Sequence, residues 1–183
     1  MLWMALLLTS LGWAQEKMSW DYPDFKSAQD AAQEFHFTSE STKFGLLTTS
    51  FRGSARAGEL SFERSGALLK NATLVLVAAK IDTDNGARNS KMWEETLAAE
   101  KFPTLRVAIK GDIDTSVEKQ TVQGTLSVRD HSADIPIEII RVSDKVFKGS
   151  AKFSLKALKV PDPSIAIAKV RDEFAVSFKV TLP

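Results

Sequence analysis

Apolar and polar residues alternate with a period of two along most of this chain. Between Glu173 and Leu182 the even positions Phe174, Val176, Phe178, Val180 and Leu182 are all apolar, against Glu173, Ala175, Ser177, Lys179 and Thr181. From Phe147 to Lys156, Phe147, Gly149, Ala151, Phe153 and Leu155 share one face, and Lys148, Ser150, Lys152, Ser154 and Lys156 share the other. Leu105, Val107, Ile109 and Ile113 oppose Arg106, Lys110 and Asp112, and Val122, Leu126 and Val128 oppose Thr121, Gln123, Thr125, Ser127 and Arg129. Successive side chains of a strand leave on opposite faces, so each stretch predicts a strand with one apolar and one wet face. Less regular strands are expected over 35–39, 44–51, 58–63, 73–81 and 134–142. Turn residues at Gly66, Asp114-Thr115-Ser116, Asp130-His131 and Ser143-Asp144 separate some of them, which favours antiparallel meanders over parallel crossovers.

Two stretches have helical rather than alternating character. Residues 24–34 are polar with a weak stripe of Phe25, Ala28, Ala31 and Ala32. Residues 89–101 carry Asn89 as an N-cap, Met92, Trp93 and Leu97 on one side, and Pro103 as a stop. Upstream, Leu2 to Leu11 is an apolar run too short to span a bilayer, and Gly12-Trp13-Ala14 places small residues at the −3 and −1 positions of a signal-peptidase site. We expect a signal peptide over 1–14, a polar and partly helical segment over 15–34, and a barrel domain over 35–183. The protein is then periplasmic or secreted.

Single-sided strands close economically into a barrel, which removes exposed edges. A membrane-spanning barrel would face its apolar side outward and carry aromatic girdles. Here Trp20, Trp93 and Tyr22 fall outside the expected strands, and a polar lumen would enclose Lys148, Lys152, Lys156 and Lys179 without matching acids. The apolar face therefore points inward, and the barrel does not span a membrane. Charge adds little: 24 Lys+Arg against 23 Asp+Glu give a net charge of +1 with no basic cluster, which excludes a nucleic-acid partner. The absence of cysteine excludes disulfides, thiolate catalysis and Cys-containing zinc sites. His36 and His131 are too few and too scattered for a histidine metal centre. Asp82-Thr83-Asp84-Asn85-Gly86 begins like a calcium loop, but its Gly comes one position early and Trp93 stands where a bidentate Glu belongs. No cofactor, metal or catalytic triad is expected.

The run Lys80-Ile81-Asp82-Thr83-Asp84-Asn85-Gly86-Ala87-Arg88-Asn89, then Met92, then Lys101-Phe102-Pro103-Thr104-Leu105, resembles the YceI-like family. So do Gly124-Thr125-Leu126-Ser127-Val128-Arg129, Ala151-Lys152-Phe153-Ser154-Leu155 and Val170-Arg171-Asp172-Glu173-Phe174-Ala175-Val176. Asn89 stands where the family usually has Asp, and Asp130-His131 replaces a Gly turn. The resemblance implies an all-β fold, an antiparallel eight-stranded lipocalin-like barrel with one short helix inserted near 89–101. It also implies an apolar interior that holds an amphipathic lipid of the polyisoprenoid kind, for storage or transport, without catalysis. The expected ligand-facing residues are Val107, Ile109, Leu126, Val128, Ala151, Phe153, Phe174, Val176 and Phe178. Arg88 is expected at the lipid headgroup, unless it is spent on an ion pair with Asp82 or Asp84. The alternative is a secreted interaction module whose barrel is filled by its own side chains, since eight strands suit either outcome.

Overall fold

The computed structural model describes residues 15–183, so the expected signal peptide lies outside the described residues. In chain order the strands are β1 (Gln15–Asp21), β2 (Gln33–Lys43), β3 (Leu47–Ala55), β4 (Ala57–Ser65), β5 (Leu68–Val77), β6 (Ile81–Asp82), β7 (Thr104–Lys110), β8 (Ile113–Asp114), β9 (Lys119–Val128), β10 (His131–Arg141), β11 (Val146–Ser154), β12 (Ala168–Val170) and β13 (Glu173–Thr181). One short helix, α1 (Gly86–Lys91), follows β6 and runs into a wider turn over Met92–Thr96. All thirteen strands belong to one antiparallel sheet. The nine expected strands make an eight-stranded wall, because those over 44–51 and 58–63 are halves of one strand. The higher count arises because one wall strand bends and is counted as both β3 and β4, while β1, β6, β8 and β12 are short additions.

The bend is where the sheet closes. Going round the wall, β5, β7, β9, β10, β11, β13 and β2 pair in that order, with β5 on β4 and β2 on β3. Arg56 joins β3 to β4. Its N–H donates to the Lys80 carbonyl and its C=O accepts from the Tyr22 N–H, both at 2.9 Å. Backbone groups therefore remain paired on both sides where one edge passes to the other, as burial of peptide groups requires.

The N-terminal segment departs from expectation. Residues 15–21 form β1 against β4, with Trp20 opposite Gly58. Met18 and Trp20 do alternate with Lys17, Ser19 and Asp21, a signal too brief to stand out. Trp20 is thus in a strand, and its ring is buried on Phe35 at 5.1 Å, not turned outward as a girdle. Residues 24–32 are isolated turns, not a helix. Asp24 accepts the Ser27 N–H at 2.7 Å, Ala28 is buried, and the Gln29 side-chain amide donates to Ser54 Oγ at 2.5 Å. Anchoring on the wall replaces the i→i−4 ladder that its weak apolar stripe does not sustain.

The inserted helix starts earlier than expected and ends sooner. Asn85, not Asn89, is the N-cap, accepting the Arg88 N–H at 2.9 Å. Asn89 is buried. Its Oδ1 accepts from the Thr83 N–H at 2.9 Å and the Thr83 hydroxyl at 2.7 Å, and its amide donates to Asp82 at 2.8 Å. An Asp at 89 would lose that donor and face the Asp82 carboxylate, so Asn suits this neighbourhood.

Glycines sit opposite rings at three cross-strand pairs: Gly58 with Trp20, Gly53 with Phe37 and Gly149 with Phe178. At Gly58 a Cβ would lie 2.6 Å from Trp20 and 2.7 Å from the Val75 carbonyl oxygen, which is backbone and does not yield. Gly58→Ala is expected to cost about 1–3 kcal/mol, the usual range for overpacking. Gly86→Ala, with nothing within 4 Å, should stay within about 0.5 kcal/mol of the parent. Urea unfolding of both variants checks this.

Candidate functional site

Inward residues of the wall enclose a cavity of about 570 Å³, well inside the roughly 300–1,000 Å³ usual for small-molecule sites. Its two sides differ in kind. Strands β2, β3, β11 and β13 present rings: Phe153 stacks on Phe174 at 5.6 Å, and Phe37 meets Phe51 at 6.4 Å and Phe174 at 5.8 Å. Strands β5, β7, β9 and β10 present Leu74, Leu76, Leu105, Val107, Ile109, Leu126, Val128, Ile135 and Ile137. Several of these, among them Leu74, Leu105, Val107, Ile109, Ala151, Phe153 and Phe178, are only half-buried although they point inward. Their remaining surface faces the cavity. The interior is open, and the filled-core alternative loses its premise.

The cavity has one open end. At the far end its lining residues Leu69, Ile139, Phe147, Val180 and Leu182 are buried. At the near end the lining includes exposed Lys43, Thr49, Ser50, Ala87, Arg88 and Ile165, with half-buried Lys91 beside them. Here the chemistry changes from hydrocarbon to hydroxyl and cation. Lys148 and Lys152 stand exposed on the outside of the wall, and Lys179 beside them is half-buried. The polarity is that of a barrel with an apolar inside, the reverse of a membrane-spanning one. No helix among the described residues is long and apolar enough to cross a membrane.

Val107, Ile109, Leu126, Val128, Ala151, Phe153, Phe174, Val176 and Phe178 all lie on the cavity wall, and Arg88 lies at its mouth. Arg88 makes no ion pair with Asp82 or Asp84. Its guanidinium sits 4.7 Å from the Phe51 ring centroid, while Asp82 faces Arg56 Nε at 3.5 Å. A cation held on a ring keeps its N–H groups available. Phe37, Phe51, Leu74, Leu76 and Leu105 also line the cavity. The first four fall on strands whose alternation is irregular, where inward positions were not separable by period.

A polar constellation forms on the outer side of the closing seam. His36 Nδ1 lies 2.7 Å from Ser54 Oγ, and its Nε2 lies 3.6 Å from Glu34, which also pairs with Lys179. Residue order gave no sign of it, because 18 positions separate His36 from Ser54. It has the membership of a hydrolytic triad but not its access. Ser54 is 0% exposed, and Gln29 occupies its hydroxyl. No substrate carbonyl reaches that oxygen, so the cluster fastens residues 24–32 to the wall. Among the described residues no group of three or more His, Asp or Glu is placed to hold a metal ion.

A closed antiparallel barrel with an apolar, one-ended cavity of this size belongs to the class of β-barrels wide enough inside to enclose one small molecule. The YceI-like domain model matches residues 27–182, and the chain belongs to that family. Among solved structures, a polyisoprenoid-binding domain from Saccharophagus degradans, implicated in plant cell wall breakdown, aligns with a TM-score of 0.59 at 15% identity, covering 83% of this chain and 99% of its own. BcnA of Burkholderia cenocepacia aligns with a TM-score of 0.60 at 15% identity, covering 85% and 98%. A YceI protein of Campylobacter jejuni aligns with a TM-score of 0.51 at 18% identity, covering 69% and 80%. These likenesses establish the fold. No curated protein sequence matches the chain.

His36 gives the fold a pH dependence. Burial, which leaves the residue 4% exposed, is the main cause that holds its pKa below the ordinary 6.5. Arg52 and Lys179 add repulsion, and Glu34 pulls the other way. The native ring stays neutral where the unfolded chain takes up a proton, so stability is full above pH 6.5 and falls as pH drops below it toward the folded pKa. The slope from this one group is at most about 1.4 kcal/mol per pH unit. Urea midpoints between pH 8 and 5 should decline below 6.5 in the wild type and less steeply in His36→Gln. Equal slopes would remove His36 as the cause.

Proposed function

We propose that the protein binds an amphipathic lipid of the polyisoprenoid kind, tail in the barrel and headgroup at the mouth, and carries it outside the cytoplasm. The observation that carries this reading is the change of lining along the cavity. The interior is lined mostly by hydrocarbon, with His36, Thr83, Thr96 and Thr115 as its few polar residues, whereas Lys43, Arg88, Lys91, Ser41, Thr49 and Ser50 surround the opening. A molecule matching that gradient has a long apolar body and one polar or anionic end. The neighbour from Saccharophagus degradans, described as polyisoprenoid binding, supports the same ligand class. The apolar run Leu2 to Leu11 with Gly12-Trp13-Ala14 supports a periplasmic or secreted location.

The reading is one of carriage rather than catalysis. The nucleophile-like Ser54 is sealed on the outer side of the wall, and the cavity lining offers no carboxylate and, besides Lys43 and Lys91 at the mouth, no lysine. Affinity then comes from tail burial. Drug-sized ligands realise about 0.3 kcal/mol per heavy atom, so each five-carbon unit that fits adds about 1.5 kcal/mol, roughly tenfold. Isoprenoids of increasing length, titrated against the chain, should bind progressively tighter until the cavity is full. Ala151→Trp should abolish most of this, because the indole occupies the tail's space. Arg88→Ala, whose partner sits in water, should weaken binding by only about 0–1 kcal/mol. Affinity independent of tail length, or a folded Ala151→Trp protein that binds normally, would overturn the reading.

A further inference from the structure

Large apolar side chains gather at the open end of the barrel, outside the cavity. The β2–β3 turn projects Phe44, 73% exposed, and Leu46, 91% exposed, with Leu47 also in solvent. Beside it the segment entering β12 exposes Ile165 and Ile167. The two loops form one surface: β12 pairs with Ser41–Lys43, and the Phe44 N–H donates to the Ile167 carbonyl at 2.9 Å. Phe44 and Gly45 have φ of 50° and 68°, the left-handed backbone that throws the tip outward. Ile165 also lines the cavity, so the outer surface is continuous with the inner one.

We infer that this end of the barrel docks on a phospholipid bilayer. Three features choose that occupant. The surface is convex, with Leu46 almost wholly in solvent. A fluid bilayer accepts a knob without a matching groove, whereas a protein partner must supply one. The charge is also one-sided. Lys43 is the only charged residue between Ser41 and Phe51, and Lys169 the only one between Pro163 and Val170. Lysines beside apolar tips place their stems in the interface and their ammonium groups among lipid phosphates. Lastly, the mouth opens at the tips, so docking sets it against the membrane and a tail passes between bilayer and cavity without crossing water. This last consequence rests on the lipid-binding reading, while docking itself does not. Among the described residues the other exposed large apolar ones, Val117, Ile140 and Val142, are at the closed end and interleaved with Glu118, Lys119, Arg141 and Asp144.

The test is flotation of the full chain with vesicles of phosphatidylethanolamine and phosphatidylglycerol at about 3:1. Wild type should float with the vesicles. A Leu46→Ser/Ile167→Ser variant, which removes one knob from each loop, should partition at least tenfold less. Val142→Ser should match wild type. Isoprenoid binding from detergent solution by the same proteins keeps the two readings apart. Tip-dependent flotation without isoprenoid binding leaves docking standing and removes the cavity reading. Docking is overturned if wild type does not float, if the double variant floats as well as wild type, or if sedimentation velocity shows a dimer that the double variant abolishes.

Discussion

Closing a sheet on itself leaves no edge, but it requires every backbone group at the junction to find a partner. In this chain the requirement is met at one residue. Arg56 is the point where a single strand stops pairing with β2 and β6 and starts pairing with β1 and β5, and its own N–H and C=O are both used. Its side chain secures the junction further, donating to the Pro23 carbonyl at 2.6 Å and facing Asp82 at 3.5 Å. Everything inward of the wall follows from that closure. An open sheet with this alternation would collapse its apolar face on another layer, and no cavity would remain.

The cavity survives because the inner face mixes sizes. Phe37 and Phe178 lean over the cross-strand glycines Gly53 and Gly149, and the rings of β2, β3, β11 and β13 pack against one another, so they line their side of the wall instead of filling the middle. Branched aliphatics on the opposite side are too short to reach them. Ala151 widens the space further where a larger residue would narrow it. The same devices that fix the strand register therefore hold the interior open.

Polar groups are divided between structure and mouth. Asn89, Thr83 and Asp82 satisfy one another and hold α1 over the opening, while His36, Ser54 and Gln29 hold residues 24–32 across the seam. Thr83 and His36 each reach the cavity lining, but Ser54 is fully buried and the Thr83 hydroxyl is taken up by Asn89. Arg88, Lys43 and the rim hydroxyls, by contrast, lie where a headgroup meets solvent, and the apolar tips beyond them continue the lining outward.

Period-two alternation made the wall legible residue by residue. The faces of β7, β9, β11 and β13 were readable because each side chain's direction depends only on its parity in the strand, and the nine apolar residues chosen on that basis all lie on the cavity wall. The motifs around Asp82 and Lys101 pointed to the family for the same local reason. What lay beyond the sequence was set by residues far apart in the chain. Parity does not say whether inward residues from opposite walls touch, so an open interior was indistinguishable from a filled one. The turns over 24–32 form because Ala28 and Gln29 meet a wall that contains Ser54, and local propensity holds no record of that contact. Arg88 rests on Phe51 and not on Asp82 because Arg56 reaches Asp82 first. Direction of a side chain is a local property of the backbone; which neighbour it meets is decided only when the sheet has closed.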